Sequence, residues 1–417
     1  MRKPVIMPIL IALFLSLSFL AAPALAIDKA FAGRVNRVVQ KAIKEDQTIV
    51  GCVVIVAERG KPVYRKAWGY LDREAGQKMP VHAIFRLASM TKPIVAAAAL
   101  RLCEEGKLSL DDEVSKWLDF QPKLADGSLA SIKIRHLMNH TAGLDYCFLE
   151  KSDGPYIKAG VSDGLDFPGR SMQENLARIA SVPLLFQPGS DWRYSVSSDV
   201  LGAVLEKVTG ESLPNVIQKY VTSPLKMQST DFSISPSLGG DALDRLVIPY
   251  RDGKPPRRMG TACDVPFPGG GNLHFVPARL FDNNSFYSGG GGLIGTGDDY
   301  LKFLSSIAGS GKALLSAAST AAMVSSQTGD IKLKGQPDGW GFGYGFAVLK
   351  DRDLAKSPHE NGTLKWGGAY GHSYMVDRKK NLIIIILTNT AIEGTLGKFP
   401  RDVRDAVYGV TKSEPGT

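Results

Sequence analysis

The sequence predicts an α/β fold: one antiparallel sheet formed by the N- and C-terminal segments, flanked by helices, with a mostly helical lobe inserted. Three observations carry this. Two β-rich runs lie near residues 50 and 65 and further ones follow residue 340, so the sheet-forming sequence sits at the ends. The stretch between them repeats apolar residues at helical spacing and is broken by Gly and Pro. The 417 residues are 44% hydrophobic and 22% charged, a globular composition able to bury a large two-lobed core.

The chain opens with Arg2 and Lys3, an almost unbroken apolar run over residues 5–20, and Ala24-Leu25-Ala26, a small-x-small cleavage pattern. This predicts a signal peptide over residues 1–26, a single domain over residues 27–417, and a periplasmic or secreted protein with no stable membrane insertion after cleavage. A retained anchor is the competing reading, because the run approaches the minimum length of a span. Loss of Arg2 and Lys3 lowers the formal charge from +9 to +7. The other Lys and Arg are dispersed, which argues against nucleic acid as a partner. Cys52, Cys103, Cys147 and Cys263 are too scattered for a disulfide framework, leave one bridge or none open, and lack the Cys-x-x-Cys of a zinc site.

Phe31, Val35, Val38, Val39 and Ile43 form the apolar stripe of an amphipathic helix. Residues 49–57 and 62–70 read as strands joined through the polar Glu58-Arg59-Gly60-Lys61, an antiparallel hairpin. From residue 89 to about 106 a helix apolar on nearly every face belongs in the middle of a domain. Pro93 fits its first turn, where N–H groups are unpaired anyway. Helical stretches at 199–205 and 300–307 alternate with long connections, of which 236–292 is long enough to be a site wall or lid.

Strands are predicted at 341–349, 363–366, 372–376 and 382–388. The last carries Ile383-Ile384-Ile385-Ile386-Leu387, suited to a central strand buried on both faces. A helix at 400–408 closes the chain. The α/β lobe then takes about residues 27–88 and 335–417 and the helical lobe about 89–334, with a binding cleft between them.

The chemistry points to Ser89. A serine hydroxyl needs a base within hydrogen-bond reach and donors for the oxyanion formed on attack. Lys92 lies three residues on, on the same face of a helix, and a lysine acts as a base where burial disfavours its ammonium form. The start of the helix also favours negative charge developing at Ser89. A bare Ser-x-x-Lys is a weak signal, since the serine could simply cap the helix.

Its surroundings are stronger. Phe85-Arg86-Leu87-Ala88-Ser89-Met90-Thr91-Lys92-Pro93 is followed by Glu105-Gly106-Lys107-Leu108-Ser109-Leu110-Asp111-Asp112 and Ile134-Arg135-His136-Leu137-Met138-Asn139-His140-Thr141-Ala142-Gly143-Leu144. Then come Tyr194-Ser195-Val196, Asp199-Val200-Leu201-Gly202, Gly291-Gly292-Leu293-Ile294-Gly295-Thr296 and Trp366-Gly367-Gly368. In this order they resemble the serine β-lactamase and penicillin-recognising superfamily, in the branch that holds class C enzymes, D-aminopeptidases and family VIII esterases. The resemblance spans most of the chain after residue 26. It implies a β-lactamase-like fold, Ser89 as the acylated nucleophile, Lys92 as its proton partner and Tyr194 as a second general acid or base. It also implies an oxyanion hole from the backbone N–H groups of Ser89 and Ala369. Without the resemblance, Tyr194 reads as a packed aromatic.

Two positions depart from the antibiotic-hydrolysing pattern of Tyr-x-Asn with Lys-Thr-Gly or His-x-Gly. Val196 replaces the Asn, and the third triplet is Trp366-Gly367-Gly368. A shifted register, Lys365-Trp366-Gly367, would restore a lysine, but strand neighbours point to opposite faces, so Lys365 and Trp366 should not both face the cleft. The triplet resembles that of family VIII carboxylesterases and related acyltransferases, which makes Trp366, Gly367 and Gly368 the substrate-binding residues. The resemblance thus implies a serine hydrolase, a carboxylesterase on neutral small esters, using no metal and no cofactor. Its partner is a small-molecule ester or amide. Rival readings are a weak class C-like β-lactamase or D-amino-acid peptidase, and a catalytically inert binding protein on the same fold.

Other signals are weaker. His136 and His140 have the spacing of a zinc pair, but Leu137 stands where a metalloprotease has Glu. His372 reads as a satisfied polar residue near the cleft mouth. Gly290, Gly292 and Gly295 match a lone Gly-x-Gly-x-x-Gly with no Val/Ile strand before it, and Thr296 with Asp299 reads as a helix cap. No Gly-x-Ser-x-Gly elbow occurs.

Overall fold

Strands from the two ends of the chain meet in one antiparallel sheet. The computed structural model describes residues 27–235, 238–268 and 270–410; the expected leader lies outside the described residues. The N-terminal part supplies β1 (Gly51–Glu58), β2 (Lys61–Asp72) and β3 (Gln77–Lys78). The C-terminal part supplies β4 (Trp340–Phe342), β5 (Ala347–Leu349), β6 (Leu364–Gly368), β7 (His372–Asp377) and β8 (Leu382–Thr388). Their order across the sheet is β4-β5-β6-β7-β8-β1-β2-β3. The termini are joined by β1 against β8, in register from Cys52↔Thr388 to Glu58↔Leu382. Every residue of β8 is buried, as its isoleucine run requires.

Local chemistry explains the turns. Between β1 and β2, Arg59 and Gly60 have φ of 51° and 75°, the pair of left-handed residues that a type I′ hairpin needs to match strand twist. The strand expected over residues 341–349 is instead two strands. The chain reverses between β4 and β5, where Gly345 has φ 90°, a conformation that favours glycine.

Helices cover both faces. On the outer face, α1 (Phe31–Gln40) runs on into a π turn over Lys41–Glu45 and packs beside the last helix, α5 (Lys398–Tyr408). Val35, Val39, Val403 and Val407 meet Val54, Ile384 and Ile386 there. The inner face takes Val53, Ile55 and Leu387 from the same strands, the period-two alternation of a sheet buried on both sides. Against it lie α2 (Thr91–Glu104), α3 (Ser197–Thr209) and α4 (Gly297–Ala308). All of residues 91–100 in α2 are buried, so this helix is the spine of the interior. Thr296 caps α4, its hydroxyl accepting from the Asp299 N–H at 3.3 Å.

The long connection after residue 236 is not structureless. It holds short hairpins, Tyr250–Arg251 with Arg257–Arg258 and Cys263–Pro266 with Asn272–Phe275. The second borders the cleft through Phe267 and Leu273, so the segment is a site wall. All four cysteines are unpaired. No helix among the described residues is long and apolar enough to cross a membrane.

Candidate active site

Ser89 stands in a 3-10 turn, Ala88–Met90, that leads into α2. The residue before it, Ala88, has φ 46°, a left-handed conformation that costs a residue with a Cβ about 1–3 kcal/mol and persists only where its surroundings enforce it. Here the enforcement comes from Leu293. The Leu87 N–H donates to the Leu293 carbonyl at 2.8 Å, and the Leu293 N–H donates to Thr91 Oγ1 at 3.1 Å.

Lys92, on the first turn of α2, is only 1% exposed. Its Nζ donates to Ser89 Oγ at 3.2 Å and to the Gly290 carbonyl at 2.7 Å. That carbonyl is itself held. The Gly290 N–H donates to Asp199 Oδ1 at 3.1 Å, and Ser288 Oγ donates to the same oxygen at 2.5 Å. Burial raises the pKa of Asp199, while the Ser288 hydrogen bond and the Lys92 charge oppose that rise. A Cβ on Gly290 would lie 2.5 Å from Asp199 Oδ2, so only glycine allows this approach. Sequence reasoning assigned no role to Asp199, Ser288 or Gly290. The available signals were an acid at the head of an otherwise apolar helix and the glycine-rich run that resembled a nucleotide loop.

Tyr194 completes the cluster: its hydroxyl lies 2.6 Å from Ser89 Oγ. Lys92 Nζ sits 4.7 Å from the Tyr194 ring centroid, and the rings of His140, Tyr146 and Trp366 surround it at 4.9, 5.1 and 5.1 Å. The loop carrying Tyr194 is pinned by the Arg193 guanidinium, which grips Asp145 at 2.6 and 2.9 Å. The Val196 N–H donates to the Asp145 carbonyl at 3.2 Å. Val196 itself is buried, so the position offers no polar group to the cleft.

The histidine pair has other tasks. His136 Nδ1 accepts from the Lys133 N–H at 3.2 Å and caps the helix Ile134–Met138. His140 is buried beneath Tyr194, where burial and then the Lys92 charge hold its pKa well below the usual value and keep the ring neutral.

β6 brings the third motif alongside. A Cβ on Gly368 would stand 2.2 Å from the Leu87 carbonyl oxygen, so the strand can pass against the nucleophile turn only because glycine is there. Ala369, next in the chain, lines the same cleft as Ser89. Trp366 forms its wall, its ring 5.1 Å from that of Phe342. His372 is not at the mouth but buried behind β6. Its Nε2 lies 2.8 Å from the Arg86 carbonyl, and burial brings its pKa down to about 4. The cleft measures about 750 Å³ and is walled largely by Tyr146, Phe148, Phe267, Leu273 and Trp366.

One expectation is overturned. Lys365 and Trp366 do alternate: Trp366 turns to Tyr194, while Lys365 Nζ lies 3.9 Å over the Trp340 ring. Yet both border the cleft. β5 pairs with β6 only through Ala347↔Lys365 and Val348↔Leu364, so residues 366–368 are a free edge around which the cleft turns.

Comparison with known proteins places the chain in a family. The family profile described as Beta-lactamase matches residues 35–407. The chain is 44% identical over 391 residues to Esterase EstB of Burkholderia gladioli, covering 92% of this chain and 97% of that protein. It is 30% identical over 368 residues to the Lovastatin esterase of Penicillium rubens, covering 80% and 87%. Among solved structures it is similar to EstCE1, described as a hydrolase with promiscuous acyltransferase activity. The TM-score is 0.84 at 42% identity, over 91% of this chain and 99% of that one.

Proposed function

The chain belongs to the beta-lactamase family, and on that premise we propose that it is a serine carboxylesterase acting on small esters through an acyl-enzyme on Ser89. The observation that carries this reading is the contact of Ser89 Oγ with both Tyr194, at 2.6 Å, and Lys92, at 3.2 Å, at the floor of a largely apolar cleft.

The step needs Tyr194 as its phenolate, which takes the Ser89 proton as Oγ attacks the ester carbonyl. The carbonyl oxygen becomes an oxyanion facing the N–H groups of Ser89 and Ala369, and its collapse expels the alcohol, which receives the proton from Tyr194. Water then attacks the Ser89 ester by the same route in reverse, giving its proton to Tyr194 and thence to Ser89 Oγ, and the carboxylic acid leaves. An alcohol in place of water would give acyl transfer. Lys92 stands beside both reacting oxygens and supports the negative charge that passes between them. Gly367 and Gly368 let the chain lie close to the acyl group, and Trp366 covers it.

The ester preference rests on Val196 and Trp366. At these two positions the protein offers neither the amide nor the cation that would hold a substrate carboxylate, so the groups adjacent to the carbonyl should be neutral. The test is to compare short p-nitrophenyl esters with a chromogenic cephalosporin. Hydrolysis of the esters is expected, and a clear preference for the cephalosporin would replace this reading with that of a β-lactamase. Labelling by a fluorophosphonate should vanish in Ser89→Ala; a folded wild-type chain that takes no label would instead be a binding protein. We also propose that residues 1–26 direct export to the periplasm or medium, on the strength of their charge, apolar run and cleavage pattern. Mature protein starting at Ile27, read by N-terminal sequencing, is the expected outcome.

A further inference from the structure

The cleft continues past Trp366. Around the free edge of β6 it is bordered by Lys365, Arg401 and Arg404, with buried His359 beside them. The Lys365 ammonium rests on the Trp340 ring, and no carboxylate among the described residues pairs with it. The acids of this region are already engaged: Asp405 by Arg404 at 2.6 Å, Glu360 by Arg352 at 2.8 Å, and Asp377 by the Tyr408 hydroxyl at 2.8 Å.

Burial and the neighbouring cations both weigh against protonation here. Burial and the Arg404 guanidinium bring the Lys365 ammonium down to about 8. Burial, then Arg404 and Lys365, hold His359 at about 3, so its ring is neutral. His359 is 2% exposed and its Nδ1 has no hydrogen-bond partner. A cleft wall with several cations and no free anion is chemically incomplete, and an anion is the group that completes it.

We propose that this annex binds a carboxylate carried by the ester substrate, so that the preferred substrates are esters neutral at the scissile carbonyl and anionic at a remote end, such as monoesters of dicarboxylic acids. Lys365 follows on from Trp366 around the free edge of β6, so a chain that passes the Trp366 ring and rounds that edge delivers its end group to Lys365 and Arg401. Hydrolysis of a monoester of this kind leaves a dianion, held in the annex by one carboxylate only.

The inference rests on the esterase reading, and two readouts separate their failures. The first compares kcat/KM for p-nitrophenyl hexanoate and mono-p-nitrophenyl adipate. The adipate ester should be preferred by about tenfold or more, and that ratio should collapse in Lys365→Met and shrink in Arg401→Gln. Equal rates in the wild type, or a preference that survives Lys365→Met, would overturn the annex and leave the esterase intact. The second does not depend on catalysis: adipate itself should raise the melting temperature of the full chain, and less so in either variant. If no ester is hydrolysed yet adipate stabilises the wild type alone, the annex stands and the esterase reading falls. If adipate stabilises none of the three proteins, or all three alike, the annex falls.

Discussion

The Tyr194 hydroxyl meets Ser89 Oγ at 2.6 Å across 105 residues of sequence. The contact is made because the Arg193–Asp145 pair ties the tyrosine loop to the turn beneath it, while the Leu293 backbone holds the serine turn from the other side. Proton transfer between the two oxygens therefore needs no rearrangement of either segment.

Tyr194→Phe keeps the ring contacts with His140, Tyr146 and Trp366 and removes only the hydroxyl. A fall in kcat of about 10²–10⁴-fold is expected, the usual weight of a general acid–base group, with little change in KM. Single-turnover kinetics read the step directly, and a loss under tenfold would leave Lys92 as the sole proton carrier.

Asp199 acts at one remove, through Gly290 and on to Lys92. In Asp199→Ala the Gly290 N–H and Ser288 Oγ lose their shared acceptor, at a cost of about 1–3 kcal/mol per buried group left unpaired, and the carbonyl that holds Lys92 is freed. Both melting temperature and kcat should drop. Asp199→Asn, which keeps an acceptor oxygen, should recover most of the stability but shift the pH profile of kcat. A profile identical to wild type would mean that its charge is not sensed at Lys92.

Gly368→Ala places a methyl 2.2 Å from the Leu87 carbonyl oxygen, a backbone atom that cannot swing aside. The strand should be displaced from the nucleophile turn, carrying the Ala369 N–H with it. Loss of one oxyanion donor corresponds to about 10²–10³-fold in kcat. Circular dichroism would show that the fold survives, and near-normal activity would place the oxyanion hole elsewhere.

Acid should weaken the fold through its buried histidines. His372 is held at about 4 by burial and His359 at about 3, against about 6.5 for a histidine in an unfolded chain. Between these values the unfolded state binds the extra proton, so the stability of neutral burial is complete above about pH 6.5 and is lost as pH falls toward the folded values. Asp166, raised to about 6 by burial, works in the opposite sense, so the informative quantity is the difference between wild type and His372→Gln. Urea midpoints should decline less steeply for the variant from pH 6.5 to 4, and parallel curves would remove His372 from the account.

The sequence by itself determined most of the elements and pointed to Ser89 as the candidate nucleophile. Periodicity is a local property, so the outer helix, the hairpin at Arg59-Gly60 and the buried Ile383-to-Leu387 strand were legible from neighbours alone. Ser89 and Lys92, one helical turn apart, gave a weak local signal that the likeness to a family strengthened, while Tyr194 and Trp366 were legible only through that likeness. What folding alone decided were contacts between distant segments. Asp199 reaches Gly290, β6 stops pairing with β5 after Lys365, and the cleft turns that free edge to bring a strand's two faces onto one surface. Alternation along a strand says which way a side chain points, but not where the sheet ends, because an edge is defined by the partner that is missing. Tyr194 likewise touches Ser89 not through any local preference but because packing closes a loop of 105 residues between them.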